Sequence, residues 1–110
     1  MPRLNAYRIM WLVVLFDLPT VTKVEKAEYR KFKKHLEEDG FSMFQYSVYM
    51  RHCDSRERLD TMKRRVTARL PPAGRVSMMM FTDKQFGMTE TWYGVSQVAN
   101  PEGQPQLMLF

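Results

Sequence analysis

The stretch IMWLVVLFDLP, residues 9–19, joins an unbroken apolar run to an abrupt polar end. The run from Ile9 to Phe16 has no polar alternation and is rich in β-branched and aromatic residues, which is typical of a central strand covered on both faces. It stops at Asp17, and Leu18 and Pro19 follow. The pattern predicts a first strand that ends in a turn and carries a carboxylate at its end.

Residues 23–39 have the pattern of a helix, with Thr20 or Thr22 as its N-cap and Gly40 at its end, where a positive φ is tolerated. Residues 41–52 are strand-like, but their apolar phase slips around Gln45 and Tyr46. We therefore expect either a bent strand or a tight two-strand hairpin there.

A second helix is predicted to begin at Asp54 or Ser55, with Glu57 placed for a capping box with Asp54. The Pro71-Pro72 pair ends it. Residues 75–81 form another apolar strand, and residues 89–95 indicate one more.

This order of elements predicts an α+β fold, a ferredoxin-like βαββαβ sandwich with an additional C-terminal strand. We place it in one domain, residues 1–95, and interpret the Pro/Gly/Gln-rich residues 96–110 as a flexible tail. Two helices cover only one face of a sheet whose central strands are apolar on both faces. The open face should therefore be buried by a second copy of the chain, and we expect a homodimer.

Composition favours a polyanionic partner, because the 110 residues carry a formal charge of +5 and a pI near 9.6. The single cysteine, Cys53, excludes an internal disulfide and a cysteine-rich zinc site. The first apolar run lacks a cleavage site and is too short to span a bilayer, so we expect a cytoplasmic protein without membrane association.

Both predicted helices have an apolar side and a basic side. The core positions are Tyr29, Phe32 and Leu36 in the first helix and Leu59, Met62, Val66 and Leu70 in the second. We interpret the basic sides as a nucleic-acid-binding surface, formed by Lys26, Arg30, Lys33, Lys34, Arg58, Arg65 and Arg69. Such stripes are also typical of a solvated helix face, and cations that contact phosphates do not read base sequence.

Two interpretations of Asp17 remain open. Asp beside Pro commonly caps a turn through its own backbone. Alternatively, a two-fold axis near the end of the first strand would bring two Asp17 carboxylates together. The pair would then form a catalytic Mg²⁺ site for phosphodiester cleavage, since Mg²⁺ is held by one or two carboxylates plus waters and phosphate oxygens.

The motifs VVLFDLP, QYSVY and TDKQ, in that order, together with WYG near the end, resemble the CRISPR-associated Cas2 family, and most the variants of type II systems. The resemblance runs from about Ile9 to Gly94. It implies a ferredoxin-like homodimer that bridges two dimers of the CRISPR integrase and binds a short duplex DNA for spacer acquisition in antiviral defence. It also implies a Mg²⁺-dependent endonuclease activity on RNA or DNA in some members, with Asp17 as the shared aspartate.

Three functions compete: a non-catalytic DNA-bridging subunit, which we rank first, an endonuclease that uses Asp17, and an RNA-binding module. The last would need exposed aromatics in a glycine-flanked pattern, and the glycines are missing. The terminal residues Gln106, Leu107, Leu109 and Phe110 resemble the short peptide that binds the bacterial sliding clamp. The interpretation that we favour is a strand added to the integrase or to the sister subunit.

Overall fold

The computed structural model describes residues 10–94, which form an α+β fold with a four-stranded antiparallel sheet in the order β2-β3-β1-β4. The elements in chain order are β1 (Met10–Asp17), α1 (Lys23–Glu38), β2 (Ser42–Gln45), β3 (Val48–Cys53), α2 (Arg56–Ala68), β4 (Arg75–Thr82) and α3 (Asp83–Phe86). The predicted ferredoxin-like βαββαβ arrangement is confirmed. The homodimer stays a prediction.

Strand β1 lies at the centre of the sheet and pairs with β3 on one side and β4 on the other. Its alternate residues Leu12, Val14 and Phe16 are buried in the core beneath the two long helices. Val13, on the opposite face, is only 7% exposed. The apolar run is continuous because its core-facing positions are buried beneath the helices and the positions between them lie on a face where Val13 is also shielded from water.

Helix α1 begins and ends where the local chemistry predicts. Thr22 is the N-cap, and it forms a capping box with Glu25: Thr22 Oγ1 accepts from the Glu25 N–H and the Glu25 carboxylate accepts from the Thr22 N–H. At the other end Gly40 adopts φ 89° and donates to the Glu37 carbonyl, while the Phe41 N–H donates to Leu36. These two bonds form a Schellman motif, which only a residue tolerant of positive φ closes without strain.

The segment after α1 is a hairpin, not a bent strand. β2 and β3 are antiparallel and are joined by Tyr46 and Ser47, with Ser47 at φ 63° and a register shift between Met43 and Gln45. The extra residue of that irregularity accounts for the slipped apolar phase in the sequence.

The prediction for α2 was wrong in two details. Ser55 is the N-cap, with its hydroxyl accepting from the Arg58 N–H, so the expected capping box between Asp54 and Glu57 does not form. Leu59, Met62 and Val66 are buried as expected, but Leu70 is 47% exposed. Leu70 lies beyond the last helical residue, Ala68, and so leaves the helical spacing that would have carried it into the core.

The additional strand predicted over residues 89–95 is wrong for its described part, because residues 89–94 are not in a strand. Instead α3 turns the chain back over the open face of the sheet. There Phe86 stacks on Trp11 with ring centroids 4.3 Å apart, and the Trp11 indole N–H donates to the Asp83 carboxylate at 2.8 Å. A strand needs a free edge beside it, and α3 leads the chain away from the edge of β4.

Val95 and the proposed tail of residues 96–110, including Gln106 to Phe110, lie outside the described residues. Within residues 10–94, no helix has the length and apolar character needed to cross a membrane.

Candidate functional site

Asp17 lies exposed at the end of β1, directly opposite Arg75 at the start of β4. A surface depression of about 300 Å³ opens beside it. Its lining comes from β1, from the β2–β3 turn with the first residue of β3, and from the start of β4: Leu15, Phe16, Asp17, Tyr46, Ser47, Val48, Arg75 and Ser77. The depression thus joins a carboxylate, a guanidinium and three hydroxyl groups from three separate parts of the chain.

The chain around Asp17 is held by the β2–β3 turn on one side and by Gly74 on the other. The Phe16 N–H donates to the Ser47 carbonyl at 3.0 Å, and the Ser47 hydroxyl is 3.0 Å from the Tyr29 hydroxyl. On the other side, Gly74 adopts φ 97°, and a Cβ there would lie 2.6 Å from the Asp17 carbonyl oxygen. The turn after β1 is therefore held between the hairpin and the start of β4.

The Asp17 carboxylate itself is free of such contacts. Within residues 10–94, it accepts no hydrogen bond and forms no ion pair. A turn-capping aspartate would accept a bond from a nearby backbone N–H. The geometry of this single chain therefore gives no support to the capping interpretation and leaves the carboxylate available to a ligand.

The single chain does not supply a metal site on its own. The part of the chain that the structure describes holds no group of three or more His, Cys, Asp or Glu side chains placed to bind a metal ion. At Asp17 the donor set is one carboxylate, and its cross-strand neighbour Arg75 is a cation. Mg²⁺ would fit here only with further oxygen ligands from a second Asp17 or from substrate phosphates.

The basic residues predicted in α1 lie mostly at the surface. Lys26, Arg30 and Lys34 are exposed, whereas Lys33 is half-buried. None of these four residues forms an ion pair with an acid within residues 10–94. These cations are thus not tied to an acid among the described residues, and their role as a nucleic-acid-binding surface stays a prediction.

The basic residues predicted in and after α2 have a different setting. Arg65 lies 3.0 Å and Arg69 3.7 Å from the carboxylate of Asp39, which closes α1. Arg58 is exposed and lies beside Asp54 and Glu57 at the start of α2. The structure therefore brings Arg65 and Arg69 together on one acid and places Arg58 among other acids.

Sequence reasoning missed Asp39, Arg51, Gly74 and Arg75. An expected antiparallel pairing of β4 with β1 would have predicted that Arg75 lies near Asp17. Arg75 is the first residue of β4, and Asp17 is the last residue of β1. Arg51, whose Nε donates to the Asp39 carbonyl at 2.8 Å, has no comparable signal in the sequence.

The fold and surface define a small, basic, ferredoxin-like protein with an exposed carboxylate at the end of its first strand. The chain belongs to the family described as CRISPR associated protein Cas2, whose model matches residues 10–89. It is 47% identical over 108 residues to the CRISPR-associated endoribonuclease Cas2 of Flavobacterium psychrophilum, covering 98% of this chain and 94% of that protein. The protein of the same name from Paracidovorax avenae is 41% identical over 107 residues, covering 97% of this chain and 99% of that one.

A solved structure described as a crystal structure of cas2 has the same fold. It matches with a TM-score of 0.55 and 18% sequence identity, over 84% of this chain and 97% of that chain. The likeness supports the ferredoxin-like architecture, and family membership assigns the protein to CRISPR systems.

Proposed function

We propose that this protein is a homodimeric adaptation subunit, which binds spacer-precursor duplex DNA and bridges integrase dimers for integration into the repeat array. The observation that carries the proposal is the different character of the two faces of the sheet. One face carries helices with unpaired cations, and the other presents apolar side chains that the chain's own elements cover only in part.

The open face is suited to a second copy of the chain. Leu15 and Val48 lie opposite each other on it and are half-buried, and Met79, opposite Val13, is 46% exposed. Among the described residues, α3 packs on Trp11 and approaches Phe44, and it leaves Met79 exposed. Association of two such faces would remove the remaining apolar surface from water.

The cationic side of α1 is suited to duplex DNA. Lys26, Arg30 and Lys34 recur every four residues, about 6 Å along the helix axis. Cations in such a row contact backbone phosphates without reading bases, which suits a protein that must accept spacers of any sequence. The binding should weaken steeply as salt rises, because each phosphate contact releases counterions.

The test is integration of a short duplex into a repeat-containing target by the purified dimer and its integrase. Arg30→Gln and Arg56→Gln each remove one exposed cation, the first from the proposed surface and the second outside it. We expect Arg30→Gln to lower duplex affinity and to reduce the salt slope by about 0.9 for each phosphate that the variant no longer neutralises. Equal effects of the two variants, or a wild type that neither binds duplex nor supports integration, would overturn the proposal.

A second candidate function is Mg²⁺-dependent cleavage of RNA or DNA by paired Asp17 carboxylates. It is favoured by the free, exposed Asp17 carboxylate and by the name endoribonuclease that the relatives carry. In this role Asp17 from each protomer would hold the metal ion, which when bound supplies the activation of water. Arg75, which lies opposite Asp17 in the strand register, would then bind a substrate phosphate.

The test of this candidate compares Asp17→Asn with Asp60→Asn, a change of another exposed acid, on α2. Loss of chelator-sensitive cleavage in Asp17→Asn alone is the expected result. Integration assays on the same two proteins separate the functions, because undiminished integration by Asp17→Asn would assign the carboxylate to cleavage only. Retained cleavage in Asp17→Asn would refute this candidate.

We further propose that residues 106–110 anchor the chain to the integrase or to the sister subunit as an added strand. The sliding clamp is the competing partner. Deleting the five residues should lower capture of purified integrase and leave duplex binding unchanged. Loss of clamp capture with integrase capture intact would favour the clamp.

A further inference from the structure

Three arginines converge on Asp39 at the junction of α1, β3 and α2. The Asp39 carboxylate accepts a 3.0 Å bond from Arg65 Nη1 and lies 3.7 Å from Arg69 Nη1. The Asp39 main-chain carbonyl accepts a 2.8 Å bond from Arg51 Nε. Two guanidinium groups thus face one carboxylate and a third is bonded to the main chain of the same residue, so the cluster keeps an excess of positive charge.

The acid in this cluster stands at a position that local chemistry disfavours. Asp39 follows Glu37 and Glu38 at the C-terminal end of α1, where the helix dipole opposes negative charge. Its side chain is nevertheless only 7% exposed. Residues that break a local rule in this way are expected where tertiary contacts or function require them.

The arginines on Asp39 remain accessible. The side chains of Arg65 and Arg69 are 53% and 40% exposed. A guanidinium carries five N–H donors, and the bond to Asp39 uses one of those of Arg65. The remaining donors can meet a phosphate, while the pairing with Asp39 has already restricted the motion of both side chains.

We propose that Asp39 is a positioning residue, which holds the guanidinium groups of Arg65 and Arg69 ready to bind a backbone phosphate of the bound duplex. We call this pair of positioned guanidinium groups the fork. The inference rests on the proposed function, because it concerns the same DNA. Arginines held in place lose less freedom on binding than free ones, and their planar donors match phosphate oxygens. Arg51 supports the same arrangement, because its Nε donates to the main-chain carbonyl of Asp39.

Charge and position predict opposite effects of one substitution, which makes the inference testable. Asp39→Asn removes a negative charge, so attraction to DNA should rise if charge alone matters. Glu38→Gln removes the same charge from an exposed neighbour that has no ion pair within the described residues. If Asp39 positions the fork, Asp39→Asn binds duplex weaker than Glu38→Gln, by about 2- to 10-fold per released side chain.

The affinities are measured on intact dimers across a salt series, with melting curves to confirm folding. A weaker Asp39→Asn with a lower salt slope supports the fork, because a lower slope means fewer phosphate contacts. If Asp39→Asn binds as tightly as Glu38→Gln or tighter, the fork is refuted while the DNA-binding function stands. A wild type that does not bind duplex at all refutes the proposed function itself.

A second pair of variants keeps the test decisive if Asp39→Asn fails to fold. Arg65→Lys preserves the charge but removes one of the two guanidinium groups of the fork. Arg64→Lys makes the same change at a neighbour that donates to Thr61. The fork requires Arg65→Lys to lower duplex affinity more than Arg64→Lys does. Equal affinities would overturn it.

Discussion

Gly74 and Asp17 are in direct backbone contact: a Cβ at residue 74 would lie 2.6 Å from the Asp17 carbonyl oxygen. Leu18 is equally close, with its Cδ2 atom 2.8 Å from the same point. Since Gly74 also adopts φ 97°, it is the residue that lets β4 begin against the turn that carries the candidate carboxylate.

Gly74→Ala should therefore destabilise the fold by roughly 1–3 kcal/mol, through backbone strain and the clash with Asp17. Urea denaturation measures the change. Gly87→Ala is the control, because Gly87 adopts φ −65° and its Cβ would approach no atom closer than 3.3 Å. Equal losses in the two variants would contradict the close approach.

Asp17→Asn should leave the free energy of unfolding within about 0.5 kcal/mol of wild type, the range of ordinary surface substitutions. The reason is that this exposed carboxylate accepts no hydrogen bond from residues 10–94. Denaturant titration checks the value. A loss well above that range would identify Asp17 as a structural turn residue.

Phe86→Ala should lower the free energy of unfolding by about 1–2 kcal/mol, less than the loss from a fully buried phenylalanine. Phe86 stacks on Trp11 and lies 5.9 Å from Phe44, so its removal uncovers part of the open face. Met88→Ala, at a side chain that is 71% exposed, is the control and should be neutral. Sedimentation of both variants shows whether α3 also supports association of two copies.

Tyr49→Phe should stabilise the protein by about 1 kcal/mol at neutral pH. The Tyr49 hydroxyl is buried and makes no hydrogen bond of normal geometry to a described residue, although the Glu37 side chain lies near enough to raise its pKa, so its removal relieves a poorly satisfied polar group. Urea titration of both proteins near neutral pH measures the gain. A less stable variant would show that the hydroxyl has a partner.

Tyr49 also predicts a loss of stability in alkali. Burial, followed by the negative charge of Glu37, raises the pKa of Tyr49 from 10.0 to about 12. The folded state thus holds the proton more tightly than the unfolded chain, and this contribution, complete below pH 10.0, is lost as the pH rises toward about 12. The decline should be shallower in Tyr49→Phe, and identical alkaline profiles would contradict the raised pKa.

The elements that local patterns specify were predictable. The apolar run of β1, a threonine cap at Thr20 or Thr22 and the positive φ of Gly40 each depend on residues within a few positions, and the structure selects Thr22 as the cap. The hairpin was one of two expected arrangements, and the phase slip at Gln45 marked its position. The choice of Ser55 over Asp54 as N-cap was not predictable, because both residues have suitable side chains at adjacent positions.

The sequence by itself therefore determined the order of the four strands and the two long helices, the helical side that is apolar and the cations on the other side, but not α3. Periodicity and capping act over one or two turns, so they can be predicted from residues that are neighbours along the chain. Tertiary structure alone decided that Arg65 meets Asp39, 26 positions away, and that Trp11 meets Asp83, 72 positions away. It also placed Arg75 opposite Asp17. Strand register pairs residues that are far apart along the chain, and no local sequence pattern links such residues.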